Sequence, residues 1–391
     1  MLNQNQRKAV VANNRFIFLL AGAGTGKTRV LIERIKRLSK EEVDVSKMLI
    51  ITFTRKSAIE LSDRLPKSIG NPLITTFHGF CYKVLIKHMP LNLVDENFLI
   101  NEGYTKDELR MIDIQKRNQY ASKQLKKYNK LLKKQRLVDF TDLERLLLEK
   151  LKNKTFESHL KNQYKYIFID EFQDTSSYQF SLVKHLKSDD GMIFAVGDPD
   201  QSIYGFRGAN KNIIQQFLKH FKATLYTLDL NYRSSKEIVA ISNRLIVHNT
   251  NRYPKSLHSC IKEKGQIHIR YFKDATNKVE YILKEIRHLL TLGIKYEDIA
   301  ILYRNHYVSN TLKHALKDSY IQNINLLTIH QSKGLEFKAV MIIGLNEGIL
   351  PMEDIEEDRR LMYVAMTRAK RHLYLLIDKS QKVSRFINEC I

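Results

Sequence analysis

The chain has 391 residues, 43% hydrophobic and 27% charged, a balance that supports buried cores and excludes a disordered polypeptide. That length exceeds one ordinary core and predicts two or three domains, of which two is adopted. Lysine plus arginine (65) exceed aspartate plus glutamate (42) by 23. The excess favours a polyanionic partner and salt-sensitive binding, or else reflects only the codon bias of an AT-rich genome.

Cys81, Cys260 and Cys390 stand singly, so neither zinc nor a disulfide framework is indicated and a reducing compartment fits best. The opening Met1-Leu2-Asn3-Gln4-Asn5-Gln6 lacks the apolar core of a signal peptide, and no apolar run reaches bilayer-spanning length. A cytoplasmic protein without membrane contact is expected.

In chain order, residues 16–20 and 48–53 read as buried strands, and 28–38 and 56–65 as helices of helical apolar spacing. Residues from about 87 to 137 interrupt this alternation without a strand run and turn strongly basic over 122–134. There Leu125, Tyr128 and Leu132 share one helical face while lysines cover the rest. Such a helix is a solvated face packed by one stripe, a nucleic-acid surface, or a membrane or partner surface. Strands resume at 166–169 and 192–196, and a second set is read at 225–230, 267–272, 299–303, 325–329, 340–343 and 372–377. The βαβ alternation implies two α/β domains with parallel sheets and a cleft.

Ala21-Gly22-Ala23-Gly24-Thr25-Gly26-Lys27-Thr28 follows the first strand and opens a helix, the context that a phosphate-binding loop requires. Its glycines let backbone NH groups approach phosphate oxygens, Lys27 reaches the β and γ phosphates, and the Thr28 hydroxyl ligates Mg2+. The strict pattern has Gly where Ala21 stands. Asp170-Glu171 sits just beyond the strand at 166–169, at the sheet edge where ligands bind. Asp170 there suits a metal anchor, and Glu171 a base that orients and deprotonates water.

Asp170-Glu171-Phe172-Gln173-Asp174-Thr175 resembles the DExx box of UvrD/Rep/PcrA-type superfamily 1A helicases, and further motifs follow in that family's order. Leu2-Asn3-Gln4-Asn5-Gln6 resembles the adenine-reading Q motif, Ile51-Thr52-Phe53-Thr54-Arg55 motif Ia, and Thr75-Thr76-Phe77-His78-Gly79-Phe80 motif Ib. Gly197-Asp198-Pro199-Asp200-Gln201-Ser202-Ile203-Tyr204-Gly205-Phe206-Arg207 resembles motif III, and Asn231-Tyr232-Arg233-Ser234 motif IV. Thr328-Ile329-His330-Gln331-Ser332-Lys333-Gly334-Leu335-Glu336 is similar to motif V, and Tyr363-Val364-Ala365-Met366-Thr367-Arg368 to motif VI. The resemblance runs nearly end to end.

It implies a P-loop NTPase of two RecA-like parallel-sheet motor domains, 1–224 and 225–391, using ATP and Mg2+. The catalytic set is then Lys27, Glu171, Gln201, Arg233 and Arg368. Gln6, Gly22, Ala23, Gly24, Thr25, Gly26, Lys27, Thr28, Arg29, Tyr232 and Glu336 surround the nucleotide, and Thr28 and Asp170 hold the metal. Gln201 senses the γ-phosphate, Tyr232 stacks on adenine, Glu336 touches the ribose and Gln6 reads the adenine edge. Arg233 and Arg368 meet charge developing on the γ-phosphate as the cleft closes. None of these groups is lost, which argues against a non-catalytic binding module.

By the same resemblance the track is single-stranded DNA and its junctions with duplex, contacted by Thr52, Phe53, Thr76, Phe77, His78, Tyr204, Phe206, Arg207 and His330. Translocation is expected 3' to 5', in replication, repair or recombination. Phe206 stands where relatives often carry Trp. Of two large insertions usual in the family, 1B is reduced to about 87–137 and 2B is absent near 305–325. Translocation is then expected to survive, while two readings of unwinding stay open: the chain is itself the helicase, or it unwinds only with a protein partner, such as a nuclease complex. An RNA track stays open, because stacking and phosphate contacts do not exclude a 2'-OH. The oligomeric state is open, and a monomer is compatible with the reading.

Overall fold

The computed structural model describes residues 1–391 apart from Gln119, Gln322 and the side chain of Arg207. The strands, in chain order, are β1 (Phe16–Ala21), β2 (Met48–Thr52), β3 (Leu73–Thr76), β4 (Asn92–Leu93), β5 (Leu137–Val138), β6 (Tyr166–Ile169), β7 (Met192–Gly197), β8 (Thr224–Leu228), β9 (Leu230–Asn231), β10 (His258–Ser259), β11 (Gln266–Phe272), β12 (Ile299–Tyr303), β13 (Asn325–Thr328), β14 (Phe337–Ile342) and β15 (Ala369–Asp378). β1, β2 and β7 are almost wholly buried apolar runs, as strands covered on both faces must be.

A six-stranded sheet has the order β3-β2-β6-β7-β1-β8, and a five-stranded sheet the order β11-β15-β14-β12-β13. The ladders joining β3 through to β1, and all those of the second sheet, are parallel. The expected α/β class is thus present. Two strand expectations are corrected. The strand at 224–228 borders β1 in the first sheet instead of opening the second set, because its alternating exposure suits an edge. The interval 87–137, expected to lack strands, is bracketed by the short parallel pair β4–β5.

The chain divides into two compact units. The first comprises Met1–Leu20, Thr28–Gly197 and Tyr204–Thr227, and the second Ala21–Lys27, Asp198–Ile203 and Leu228–Ile391. In the first, Phe18, Phe172 and Phe217 pack together beside the sheet. In the second, Ile282, Ile286 and Leu289 of the helix Ala275–Thr291 pack on Ile299, Ile301, Met341 and Leu376.

The basic helix runs Lys123–Gln135, with the Ser122 hydroxyl accepting from Leu125 N at its start and left-handed Arg136 at its end. Leu125, Tyr128 and Leu132 are its buried face, as the spacing predicted. They join Leu99, Tyr104 and Ile112 in a small core that belongs to the insertion itself.

Candidate functional site

Within the first unit, parallel pairing of both strands with β7 puts the carboxyl ends of β1 and β6 at one edge of the sheet. β6 ends at Ile169; Asp170 accepts from the Glu171 amide at 3.0 Å, and Glu171 takes a left-handed backbone at φ 50°. That conformation is rare outside glycine and marks a strained turn. The Glu171 carboxylate accepts from Gln173 Nε2 at 2.5 Å. Thr28 and Arg29 lie in the first turns of the helix Lys27–Lys40, Arg29 exposed and Thr28 half-buried.

Gln6 is buried and forms a capping box with Asn3 at the start of the helix Gln4–Val11. The far end of that helix is held by Arg34, which donates to the carbonyls of Ala9 and Val10 at 2.8 and 3.1 Å. Burial pushes the Arg34 guanidinium down to about 10. It also lies over the Phe194 ring of β7.

The second unit gathers most of the remaining predicted groups. Gly24 and Gly26 have φ of 67° and 83°, conformations that glycine takes without steric cost. A Cβ on Gly24 would lie 2.7 Å from Arg233 Cβ and 2.8 Å from Asn231 Nδ2. Thr25 Oγ1 donates to the Gly22 carbonyl at 2.9 Å, Asn231 Nδ2 to the Ala23 carbonyl at 2.8 Å, and the Tyr232 amide to the Gly24 carbonyl at 2.9 Å. The loop is thereby fixed by the end of β9 and the bend after it, where Tyr232 sits with its ring exposed.

Gln201 is buried with both ends of its amide engaged: Nε2 donates to Asp198 at 2.5 Å, and Oε1 accepts from Arg368 Nη2 at 3.2 Å. Arg368 also donates to the carbonyls of Val364 and Leu335. Lys333 Nζ donates to the Gln201 carbonyl at 3.0 Å. Arg233 Nε donates to Glu336 at 2.6 Å, and Lys370 pairs with the same carboxylate at 2.6 Å. Burial would raise the Glu336 carboxyl, but Arg233 and Lys370 outweigh it and hold it below its ordinary range.

Sequence reading missed the groups behind Gln201. Lys255 pairs with both Asp198 and Asp200, and Arg252 grips Asp200 at 3.2 and 2.9 Å. A lone Arg and Lys in Asn251-Arg252-Tyr253-Pro254-Lys255 carry no signal of burial in sequence, because such residues are mostly exposed.

The aromatic side chains expected on a nucleic-acid path form a series within the first unit. Phe53 stacks on Tyr204 with centroids 4.6 Å apart, Tyr204 meets Phe206 at 5.9 Å, and the Arg110 guanidinium lies 4.8 Å over Phe206. Thr52 is buried, donating to the Thr54 carbonyl. Thr76 caps the helix Phe77–Leu85 by accepting from the Gly79 amide. Phe77 is buried, whereas His78 stacks on Phe140 at 4.8 Å with Nε2 3.0 Å from Glu144. His330 lies half-buried in the turn after β13 in the second unit. The side chain of Arg207 lies outside the described residues.

Among the described residues no group of three or more His, Cys, Asp or Glu is placed to hold a metal. A Thr hydroxyl and one carboxylate are hard oxygen donors of the kind Mg2+ takes when phosphates complete its shell, so Thr28 and Asp170 fit that ion. No helix among the described residues is long and apolar enough to cross a membrane.

Residues 2–124 and 103–222 match the UvrD/REP helicase N-terminal domain, and residues 226–323 and 317–380 the UvrD-like helicase C-terminal domain. A probable DNA helicase of Mycoplasma pneumoniae is 32% identical over 96% of this chain and 83% of its own length. A probable DNA helicase II homolog of Mycoplasma capricolum is 32% identical over 82% of the chain, and the ATP-dependent DNA helicase PcrA of Staphylococcus aureus 32% over 81%. The chain spans about half the length of these two, 51% and 50%. With both halves matched in order and a relative aligned over 96% of this chain and 83% of its own length, the chain belongs to the UvrD-like helicase family.

Proposed function

We propose that the protein is an ATP-dependent DNA helicase that moves 3' to 5' on single-stranded DNA, with Mg2+ and ATP at the Lys27 loop. The observation that carries the reading is Gln201, a buried amide oriented from both ends by Arg368 and Asp198 in the unit that also contains the phosphate loop. An amide so fixed is preorganised to answer a single oxygen, and the adjoining guanidinium answers the charge that accumulates on a γ-phosphoryl group during transfer.

In this mechanism Lys27 binds the β and γ phosphates, and Glu171 orients the attacking water and takes its proton. Arg233 and Arg368 neutralise the charge developing on the transferred group. Thr28 and Asp170 hold Mg2+, which when bound shields the phosphate charges. Gln6 and Tyr232 hold the base, and Glu336 the ribose. The half-buried rings of Phe53 and Phe206 beside Tyr204 support stacking of bases, at about 1–3 kcal/mol each without regard to sequence. Thr52, Thr76, Phe77, His78, Arg207 and His330 complete the proposed path. The direction, and a role in replication, repair or recombination, rest on family resemblance.

We further propose two motor domains whose boundary, expected at 224/225, falls instead at the end of β8, which belongs to the first sheet, with the 2B insertion absent near 305–325. This chain then translocates alone and separates strands efficiently only with a partner.

The test is ATP turnover with and without single-stranded DNA, followed by strand separation on 3'-tailed and 5'-tailed duplexes, for wild type and Glu171→Gln. DNA-stimulated turnover that Glu171→Gln lowers by about 1,000-fold is expected. Turnover stimulated by RNA alone, or none in wild type, would overturn the reading. Separation only of 5'-tailed duplexes would reverse the direction.

A further inference from the structure

Asp198, Asp200, Arg252 and Lys255 form a four-charge cluster inside the second unit, with side-chain exposures of 0%, 2%, 13% and 2%. Two carboxylates meet two cations, so the cluster is neutral as a whole. Lys255 is its centre, because its ammonium touches both carboxylates while Arg252 touches only Asp200. Burial alone would lower the Lys255 ammonium, yet Asp198 and Asp200 outweigh it and hold it above its ordinary value. Asp200 in turn is held below the usual carboxylate range, burial being outweighed by Lys255 and Arg252.

The two oxygens of Asp198 have separate tasks. Oδ1 takes Lys255, together with the amide of Asp200 at 3.1 Å. Oδ2 accepts from Gln201 Nε2 at 2.5 Å. An amide has two orientations, and which one is adopted depends on its partners. A carboxylate can only accept, so it commits Nε2 to its side and Oε1 to Arg368. A buried carboxylate that loses its counter-charge does not remain a fixed acceptor, since an unpaired buried charge is strongly disfavoured.

We propose that Lys255 is a positioning residue for ATP hydrolysis: by holding the Asp198 carboxylate in place, it fixes the amide of Gln201 in the orientation that reads the γ-phosphate. The inference rests on the reading of Gln201 given above. Lys255 is itself buried against Asp198 and Asp200 and acts through Asp198.

The experiment uses the full chain with saturating oligo-dT and compares wild type, Lys255→Met and Lys255→Arg. Four quantities are measured: kcat for ATP, KM for ATP, the half-saturating oligo-dT concentration and the melting temperature. Lys255→Met is expected to lower kcat about 100-fold, at the low end of the range seen when one preorganised donor is lost, with both half-saturation values within about threefold of wild type. Lys255→Arg restores a cation and is expected to recover most of kcat.

The double variant Lys255→Met with Asp200→Asn removes one charge of each sign, so it folds even where the single variant does not, and is expected to keep the low kcat. A folded Lys255→Met or double variant with kcat near wild type overturns the proposal. So does a loss in which kcat and both half-saturation values change together and Lys255→Arg gives no recovery. Wild type without DNA-stimulated turnover removes the functional reading and this inference with it; wild-type turnover with an undiminished variant removes the inference alone.

Discussion

Glu144, wholly buried at the foot of the basic insertion, accepts from Arg117 Nη1 at 3.1 Å. The same carboxylate accepts from Gln179 at 2.7 Å and lies 3.0 Å from His78 Nε2. Arg117 also donates to Asp113 at 2.9 Å, and Asp113 accepts from Thr141. The insertion is thus tied to the motif Ib helix through one carboxylate. Burial would raise that carboxyl, but His78 and Arg117 outweigh it and keep it below its ordinary range.

Replacing Glu144 by Leu leaves Arg117 with Asp113 as its one carboxylate and strands the Gln179 amide. Removing one partner of a buried pair costs about 3 kcal/mol, and urea denaturation is expected to show a loss of that size. Glu144→Gln, which keeps an acceptor, is expected to lose less than half as much. Equal stability of Glu144→Leu and wild type would contradict the linkage.

Glu157 provides a pH test. It receives His185 at 2.8 Å, Lys154 at 3.0 Å and Lys161 at 3.2 Å. Burial would raise its carboxyl, but these three donors bring it down to about 2. Since the folded value lies below the ordinary 4.5, the stabilisation is complete above that value and disappears as pH falls from 4.5 towards 2. Lys154 is 85% exposed, so solvent screening reduces the effect to about 1 kcal/mol at neutral pH. Melting curves of wild type and Glu157→Gln should differ by that amount at pH 7 and converge near pH 2.

Phe206 lies between Tyr204 and the Arg110 guanidinium. Phe206→Ala is expected to weaken oligo-dT binding by about 1–3 kcal/mol, and Phe206→Trp, with its larger face, to strengthen it. Anisotropy titrations would measure both, and no change in either variant would take Phe206 off the nucleic-acid path.

Lys126, Lys127, Lys130, Lys133 and Lys134 are exposed on the helix Lys123–Gln135. We propose that they bind phosphates. Changing all five to Gln should make the slope of log K against log salt shallower by about 0.7 for each phosphate that they neutralise on a single strand. An unchanged slope would mark the helix as a solvated face.

The runs at 16–20, 166–169 and 192–196 were readable because each is an unbroken apolar stretch, and β1, β6 and β7 follow them closely. The basic helix was readable from Leu125, Tyr128 and Leu132, whose spacing survives in its buried face. β3 was not, since Leu73–Thr76 is four half-buried residues ending in two threonines. The membership of β8 was hidden because strand periodicity says nothing about which sheet receives the strand. Residue types and order made Gln201 and Arg368 legible through resemblance. Lys255 stayed invisible, because only folding brings its ammonium to Asp198 and Asp200 across more than fifty residues of chain.

The tight space around Gly24 bears on how nucleotide-defective variants are chosen. Alanine at that position would act as a wedge, driving its methyl into Arg233 and Asn231 besides imposing an awkward backbone angle. A phenotype from Gly24→Ala would therefore mix damage to the loop with damage to an arginine from another motif. Lys27→Ala removes a side chain instead of inserting one, and is the cleaner lesion for separating nucleotide capture from everything downstream.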